Sequence, residues 1–123
     1  MVDLATVRKL ALALPEAVEQ SNGGQISIGV GGKGFVWTYM QRVGPKTPRV
    51  ARLDVVAIRC ALERKELLIE AAPDIYFDDD HYRGYPAVLT RLAAIDEAEL
   101  DAMLKAAWAM RAPRRLLKDR PPI

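Results

Sequence analysis

Hydrophobic positions at the start of the chain recur with helical spacing: Leu4, Val7, Leu10, Ala11 and Leu14. Asp3 stands where a cap is needed and Pro15 closes the run, which predicts a helix over 3–14. Residues 16–25 are polar, include Gly23 and Gly24, and read as a loop. The pattern then changes period. Ile26, Ile28 and Val30 alternate, Gly31-Gly32-Lys33-Gly34 turns the chain, and FVWTYMQ (35–41) is aromatic and β-branched. This predicts a hairpin of two strands. The two prolines of VGPKTPRV (43–50) break the sheet pattern, and Val55, Val56 and Ile58 centre a third strand over 52–59. ALERKELLIEAA (61–72) is rich in helix formers and stops at Pro73. Short strands follow at 75–77 and 87–93. In the last element Asp96 and Glu99 have capping-box spacing, and Leu100, Met103, Leu104, Ala107 and Trp108 form one apolar stripe. Pro113 ends this helix, predicted over 97–111.

The resulting order is α-β-β-β-α-β-β-α. Three helices around about five largely antiparallel strands predict an α+β two-layer sandwich. No internal repeat, low-complexity segment or long linker divides it, so residues 1–123 read as a single domain with a basic tail over 111–123.

Composition narrows the function. Half the residues are hydrophobic, enough for a core without staples. A single cysteine, Cys60, excludes an intrachain disulfide, and no apolar run approaches the ~20 residues of a membrane span. The amino-terminal stretch lacks a long apolar region and a small-residue cleavage site. The expectation is a cytoplasmic protein without a membrane partner. The net charge of +2 is uneven: RAPRRLLKDR (111–120) holds five basic residues and one acid, leaving −2 on the remainder. The clearest basic cluster is therefore the tail.

The chemical motifs are mostly weak. GVGGKG (29–34) fits G-x-G-x-x-G, but a dinucleotide site needs a helix directly after the glycines, and FVWTYM is strand-like. Neither does it fit a P-loop, because Ser27 and Gly34 occupy two of its defining positions. No cofactor is expected. FDDDHYRGYP (77–86) contains three consecutive acids and the only histidine. Contiguous side chains diverge in an extended segment, and no second histidine or cysteine pair is available, so the expectation is a solvated turn and not a metal centre. In that turn Asp79 or Asp80 would accept local backbone N–H groups. Gly84 would supply a positive φ and Pro86 a fixed entry into the next strand. Tyr82 and Tyr85 would bury their rings. Cys60, at a strand end before an apolar helix, suits a buried residue better than a nucleophile. His81 reads as a residue that orders the loop, with a lone general base as the alternative. No catalytic residues are assigned, and the expectation leans away from an enzyme.

Several stretches together resemble the MmcQ/YjbR family, small bacterial proteins labelled as DNA-binding: LALALPEAVE, VGGKGFVW, ALERKELLIEAAPD, DHYRGYPAVLTRLAAID and AWAMRAPRRL, in that order along nearly the whole chain. The resemblance implies an α+β sandwich with an antiparallel sheet. It carries over no catalytic motif, and the DNA-binding label rests on fold similarity. GGQISIG stands where many relatives have a more aromatic lead into the hairpin, which reduces any stacking surface there.

Two function classes compete. As a DNA-binding module, the chain would use Lys33, Arg49, Arg52, Arg83, Arg91, Arg114, Arg115 and Lys118 on phosphates. Trp37 and Tyr39, on one strand face, would stack on bases if exposed. The alternative for that face is core packed against helices. As a binding domain for an anionic small molecule or a protein partner, it would build a pocket from Lys33, Trp37, His81, Tyr82, Arg83, Tyr85 and Arg91, with cations beside tyrosines.

Overall fold

A computed structural model describes residues 2–20, 25–42, 46 and 48–118. Part of the proline-containing stretch at 43–50 therefore lies outside the described residues, as do the side chains of Arg49 and Lys118. The element order is α1 (Leu4–Leu12), β1 (Val18–Glu19), β2 (Ser27–Val30), β3 (Lys33–Arg42), β4 (Arg49–Arg59), α2 (Leu62–Ala71), β5 (Tyr76–Phe77), β6 (Ala87–Arg91), α3 (Glu97–Arg111) and α4 (Arg114–Lys118). All strands join one antiparallel sheet in the order β1-β2-β3-β4-β6-β5. The α+β class is as the sequence predicts, with six strands among the described residues where about five were expected and four helices where three were. The additions are short. β1 arises within the stretch read as loop and pairs Val18 and Glu19 with Gly29 and Ile28. α4 follows Pro113, whose carbonyl accepts from Leu116 N at 3.0 Å.

Local signals account for the longer elements. Asp3 Oδ1 accepts from the backbone N and the hydroxyl of Thr6, both at 2.9 Å, and so caps α1. Asp96 Oδ1 accepts from Glu99 N at 2.7 Å and caps α3. Gly31 and Gly32 both have positive φ, 60° and 79°, between Val30 and Lys33. Two such residues make the tight turn that matches strand twist, so GVGGKG is a hairpin and no helix follows it. Two irregularities bend the sheet. Phe35 is the extra residue where β3 pairs with β2, and β4 carries Leu53, Asp54 and Val55 in excess between its pairings with Thr38 and Tyr39.

The sheet buries both faces. On the first, α1 and α3 cover β2, β3 and β4, and α2 lies against β5 and β6. Val7, Ala11, Leu100, Leu104, Ala107 and Trp108 pack there on Ile28, Val30, Val36, Val56, Ile58 and Val88. Trp108 is 0% exposed, and its Nε1 donates to the carbonyl of Pro15 at 2.9 Å, tying α3 to the end of α1. Cys60 belongs to this core. On the second face a smaller cluster joins Tyr39, Val55, Ala57, Ala87 and Leu89 to Tyr82, with Trp37 and Phe77 at its margin. Its cover is the segment 78–86. The aromatic face of β3 is thus packed against a loop, where packing on helices was the expected alternative to exposure. β6 is buried on both sides from Ala87 to Thr90.

Candidate functional site

The loop between β5 and β6 is fixed by its acids. Asp78, Asp79 and Asp80 point to three different partners, as divergence of adjacent side chains requires. Asp78 Oδ1 pairs with Lys65 Nζ at 3.0 Å and accepts from Asp79 N at 3.0 Å. Asp79 Oδ1 accepts from Tyr82 N at 2.8 Å, and its Oδ2 accepts the Tyr39 hydroxyl at 2.5 Å. Asp80 is at the surface and pairs with Arg83 at 3.0 Å. Asp80 alone is solvated as expected, while Asp79 accepts a local backbone N–H, that of Tyr82, as the sequence predicts. Asp78 and Asp79 are half-buried and work as anchors. Burial, and then the Asp79 carboxylate, push the Tyr39 phenol well above its ordinary value.

Lys65 on α2 completes the closure. It is 2% exposed, and besides Asp78 its ammonium donates to the carbonyls of Tyr82 at 2.7 Å and Tyr85 at 3.0 Å. Three acceptors match the three protons of an ammonium, the condition under which a buried lysine is tolerable. Gly84 then takes φ 77°, and the chain enters β6 through Pro86.

This closure places aromatic rings around one open pocket of about 310 Å³ lined by Trp37, His81, Tyr82 and Tyr85. Trp37 Nε1 donates to the Tyr82 hydroxyl at 2.9 Å. Edge-to-face contacts run from Tyr39 to Tyr82 (6.0 Å), Tyr82 to Tyr85 (5.9 Å), His81 to Tyr82 (5.2 Å) and Trp37 to Tyr85 (6.4 Å). Tyr82 is buried, but Tyr85 is 41% exposed, so only one of the two tyrosines expected to bury its ring does so. Beside them lies Arg59, whose Cζ is 5.0 Å from the Trp37 ring centroid and 5.1 Å from that of Tyr85.

Of the residues expected at a ligand or nucleic-acid site, the pocket unites Trp37, His81, Tyr82 and Tyr85. The others stand elsewhere or are engaged. Lys33 is exposed at the β2–β3 hairpin, and Arg83 is held by Asp80 at the outer edge of the loop. Arg91 lies 4.1 Å over Phe77 and donates to the Pro73 carbonyl at 3.0 Å. Arg114 is exposed on α4, and Arg115 forms a two-pronged pair with Glu16 at 2.5 and 2.7 Å. Arg115 holds the Glu16 carboxyl below the usual range. Arg52 is paired with Asp54 at 2.8 Å. Tyr39 is buried and offers no face for stacking on a base.

Two residues at this site were not anticipated: Arg59 and Lys65. For Arg59 a signal existed. It follows Val55 and Ala57 at period two, and Ala57 is the register partner of Trp37. Cys60 faces the other core, and burial pushes its thiol up, away from nucleophilic use. Among the described residues no three His, Cys, Asp or Glu side chains gather as a metal-binding group.

The architecture has known counterparts. Protein DR2400 of Deinococcus radiodurans, a crystal structure with a DUF419 domain, superposes with a TM-score of 0.64 over 89% of this chain and 78% of that one, at 17% identity, a likeness of fold. Uncharacterized proteins of Mycobacterium tuberculosis and Mycobacterium bovis are 42% identical over 66 residues, 53% of this chain. The match spans about half the length of these curated relatives, 51%. The YjbR family model matches residues 12–110, from the end of α1 through β6 to the last turn of α3. With that span covering the hairpin, the acid-anchored loop and most of both cores, the chain belongs to the YjbR family.

Proposed function

We propose that this chain is a binding module that takes a small anionic ligand with a planar group in the pocket of Trp37, His81, Tyr82 and Tyr85. The observation that carries this reading is Arg59. Its guanidinium lies against two aromatic rings, and among the described residues it has no carboxylate partner. An arginine held by rings keeps its planar fork pre-organised for a carboxylate or phosphate. The rings offer stacking surface, and the anchored loop keeps them in place without a ligand.

The alternative, DNA binding, has less support. Arg52, Arg83 and Arg115 are each already paired with an acid of this chain, so their charge is partly spent before any phosphate arrives. Exposed Lys33 and Arg114 remain available to it.

The test is a titration with benzoate, with its neutral counterpart benzamide, and with duplex DNA at two salt concentrations. Benzoate should bind at least about tenfold more tightly than benzamide, the effect of one charge-assisted pair, and Tyr85→Ala should weaken it. Equal binding of the two would remove Arg59 from the reading. Submicromolar DNA binding that falls steeply with salt would replace the reading with the nucleic-acid one.

A further inference from the structure

The end of β4 borders a second cavity, on the helix side of the sheet. It holds about 190 Å³ and is lined by Arg59, Cys60, Arg64, Met103, Ala106 and Met110, with α2 on one wall and α3 on the other. Its character differs from that of the aromatic pocket. The walls are mostly apolar: two methionines one helical turn either side of Ala106, and a buried thiol. Methionine side chains adapt to the shape of an aliphatic guest. The charge is all of one sign. Among the described residues neither Arg59 nor Arg64 has a carboxylate within ion-pair distance. Arg64 Nη2 makes its contact with Met103 Sδ at 3.8 Å, a weak acceptor for a guanidinium. The Nε of Arg59 is buried with no hydrogen-bond partner, an unmet donor that native interiors usually avoid. The nearby acid on α3, Glu99, is engaged by the Tyr76 hydroxyl.

We infer that this cavity is a second binding site, for a short aliphatic carboxylate. The head group pairs with Arg64 at the exposed mouth, beside Arg59, and the chain lies along Met103, Ala106 and Met110. Size agrees: a cavity of about 150 Å³ accommodates benzene, so about 190 Å³ suits a chain of roughly six carbons. Arg59 lines this cavity and its guanidinium lies against the Trp37 and Tyr85 rings, but the site does not depend on a ligand in the aromatic pocket.

The experiment uses hexanoate as probe, with hexanol and hexylammonium as controls, on the full chain carrying carbon-13 labelled methionine methyls. Hexanoate should shift the Met103 and Met110 resonances and leave Met40, on the sheet, unmoved. Hexylammonium should produce no shift, and hexanol should bind about tenfold more weakly, having lost the charge-assisted pair. Arg64→Gln should weaken hexanoate to the hexanol level. Ala106→Leu, which fills the space with a helix former, should abolish the shifts while the melting curve shows the fold retained. Neither variant touches the aromatic pocket, so benzoate binding there should be unchanged, and the two readings fail separately. No shift at millimolar hexanoate would overturn the inference, as would equal binding of hexanoate and hexylammonium, or full binding by folded Ala106→Leu.

Discussion

Replacing Lys65 with methionine keeps most of the side chain's length and apolar stem and removes the ammonium. Three groups lose their donor: the Asp78 carboxylate and the carbonyls of Tyr82 and Tyr85. Breaking a buried ion pair from one side costs about 3–5 kcal/mol, because the other charge is left unpaired. The Asp78 side chain is 29% exposed, so water recovers part of the loss, and the lower end of the range, about 3 kcal/mol, is expected. The surface pair of Lys105 and Asp101 on α3 sets the contrast, since such i,i+4 pairs contribute only about 0.3–0.5 kcal/mol. For 123 residues an unfolding entropy of about 2.1 cal/mol/K per residue turns 3 kcal/mol into a fall in Tm of roughly 12 °C. Urea melts followed by circular dichroism give the total, and Trp37 emission reports the pocket. In a double-mutant cycle Lys65→Met with Asp78→Leu should cost less than the sum of the two, since the orphaned charge is gone. A Lys65→Met protein within about 0.5 kcal/mol of wild type, the range of ordinary surface changes, would refute the view that this ammonium holds the loop.

Three further outcomes are expected. Gly84→Val should lower stability more than His81→Ala; a Cβ at Gly84 meets nothing within 4 Å, so the cost is that of φ 77° alone, about 1–2 kcal/mol and more for a β-branched residue, and a Gly84→Val melt matching wild type would contradict it. Trp108→Ala should destabilise by about 3–5 kcal/mol and also lose the hydrogen bond to Pro15, and an unchanged thermal midpoint would remove Trp108 from the core. The Tyr39 and Tyr76 phenols, pushed up first by burial and then by Asp79 and Glu99, are favoured neutral in the folded protein. Their contribution is therefore complete below the unfolded value of about 10 and lost as pH rises through the raised one. An alkaline titration of phenolate absorbance, with Tyr39→Phe and Tyr76→Phe to assign the signals, should show Tyr39 and Tyr76 ionising only with unfolding, and their ionisation with the fold intact would contradict this.

How far the sequence carries depends on the range of each interaction. The Gly31-Gly32 turn and the Asp96 cap of α3 are settled within a few residues, and both are legible as strings. β1 is not, because two residues carry no period, and its existence depends on β2 lying beside it. The role of the three consecutive acids is decided from a distance. Lys65 lies on α2, one element before Asp78, and nothing local marks it as the residue that will be buried. Arg59 is half-legible: strand alternation assigns its face, while the ring of Tyr85 that completes its setting arrives only when the loop folds back. Pocket residues within the HYRGY segment are found together because they are contiguous. The scattered cations Lys33, Arg91, Arg114 and Arg115 are not, since composition says nothing of which ones already have partners.

The bond from Trp108 to Pro15 joins residues 93 positions apart, and Arg115 reaches Glu16 across 99. During synthesis this has a cost in time. At about 5–20 residues per second, the apolar stripe of α1 waits roughly 5–20 s for the helix that covers it. The hairpin of β2 and β3 can form meanwhile from neighbouring sequence, but of the two elements α1 chiefly packs on, β2 and α3, only β2 is present until α3 emerges. The nascent protein therefore passes through an interval with a sticky leading helix. Its last long helix acts as the latch that ends the interval.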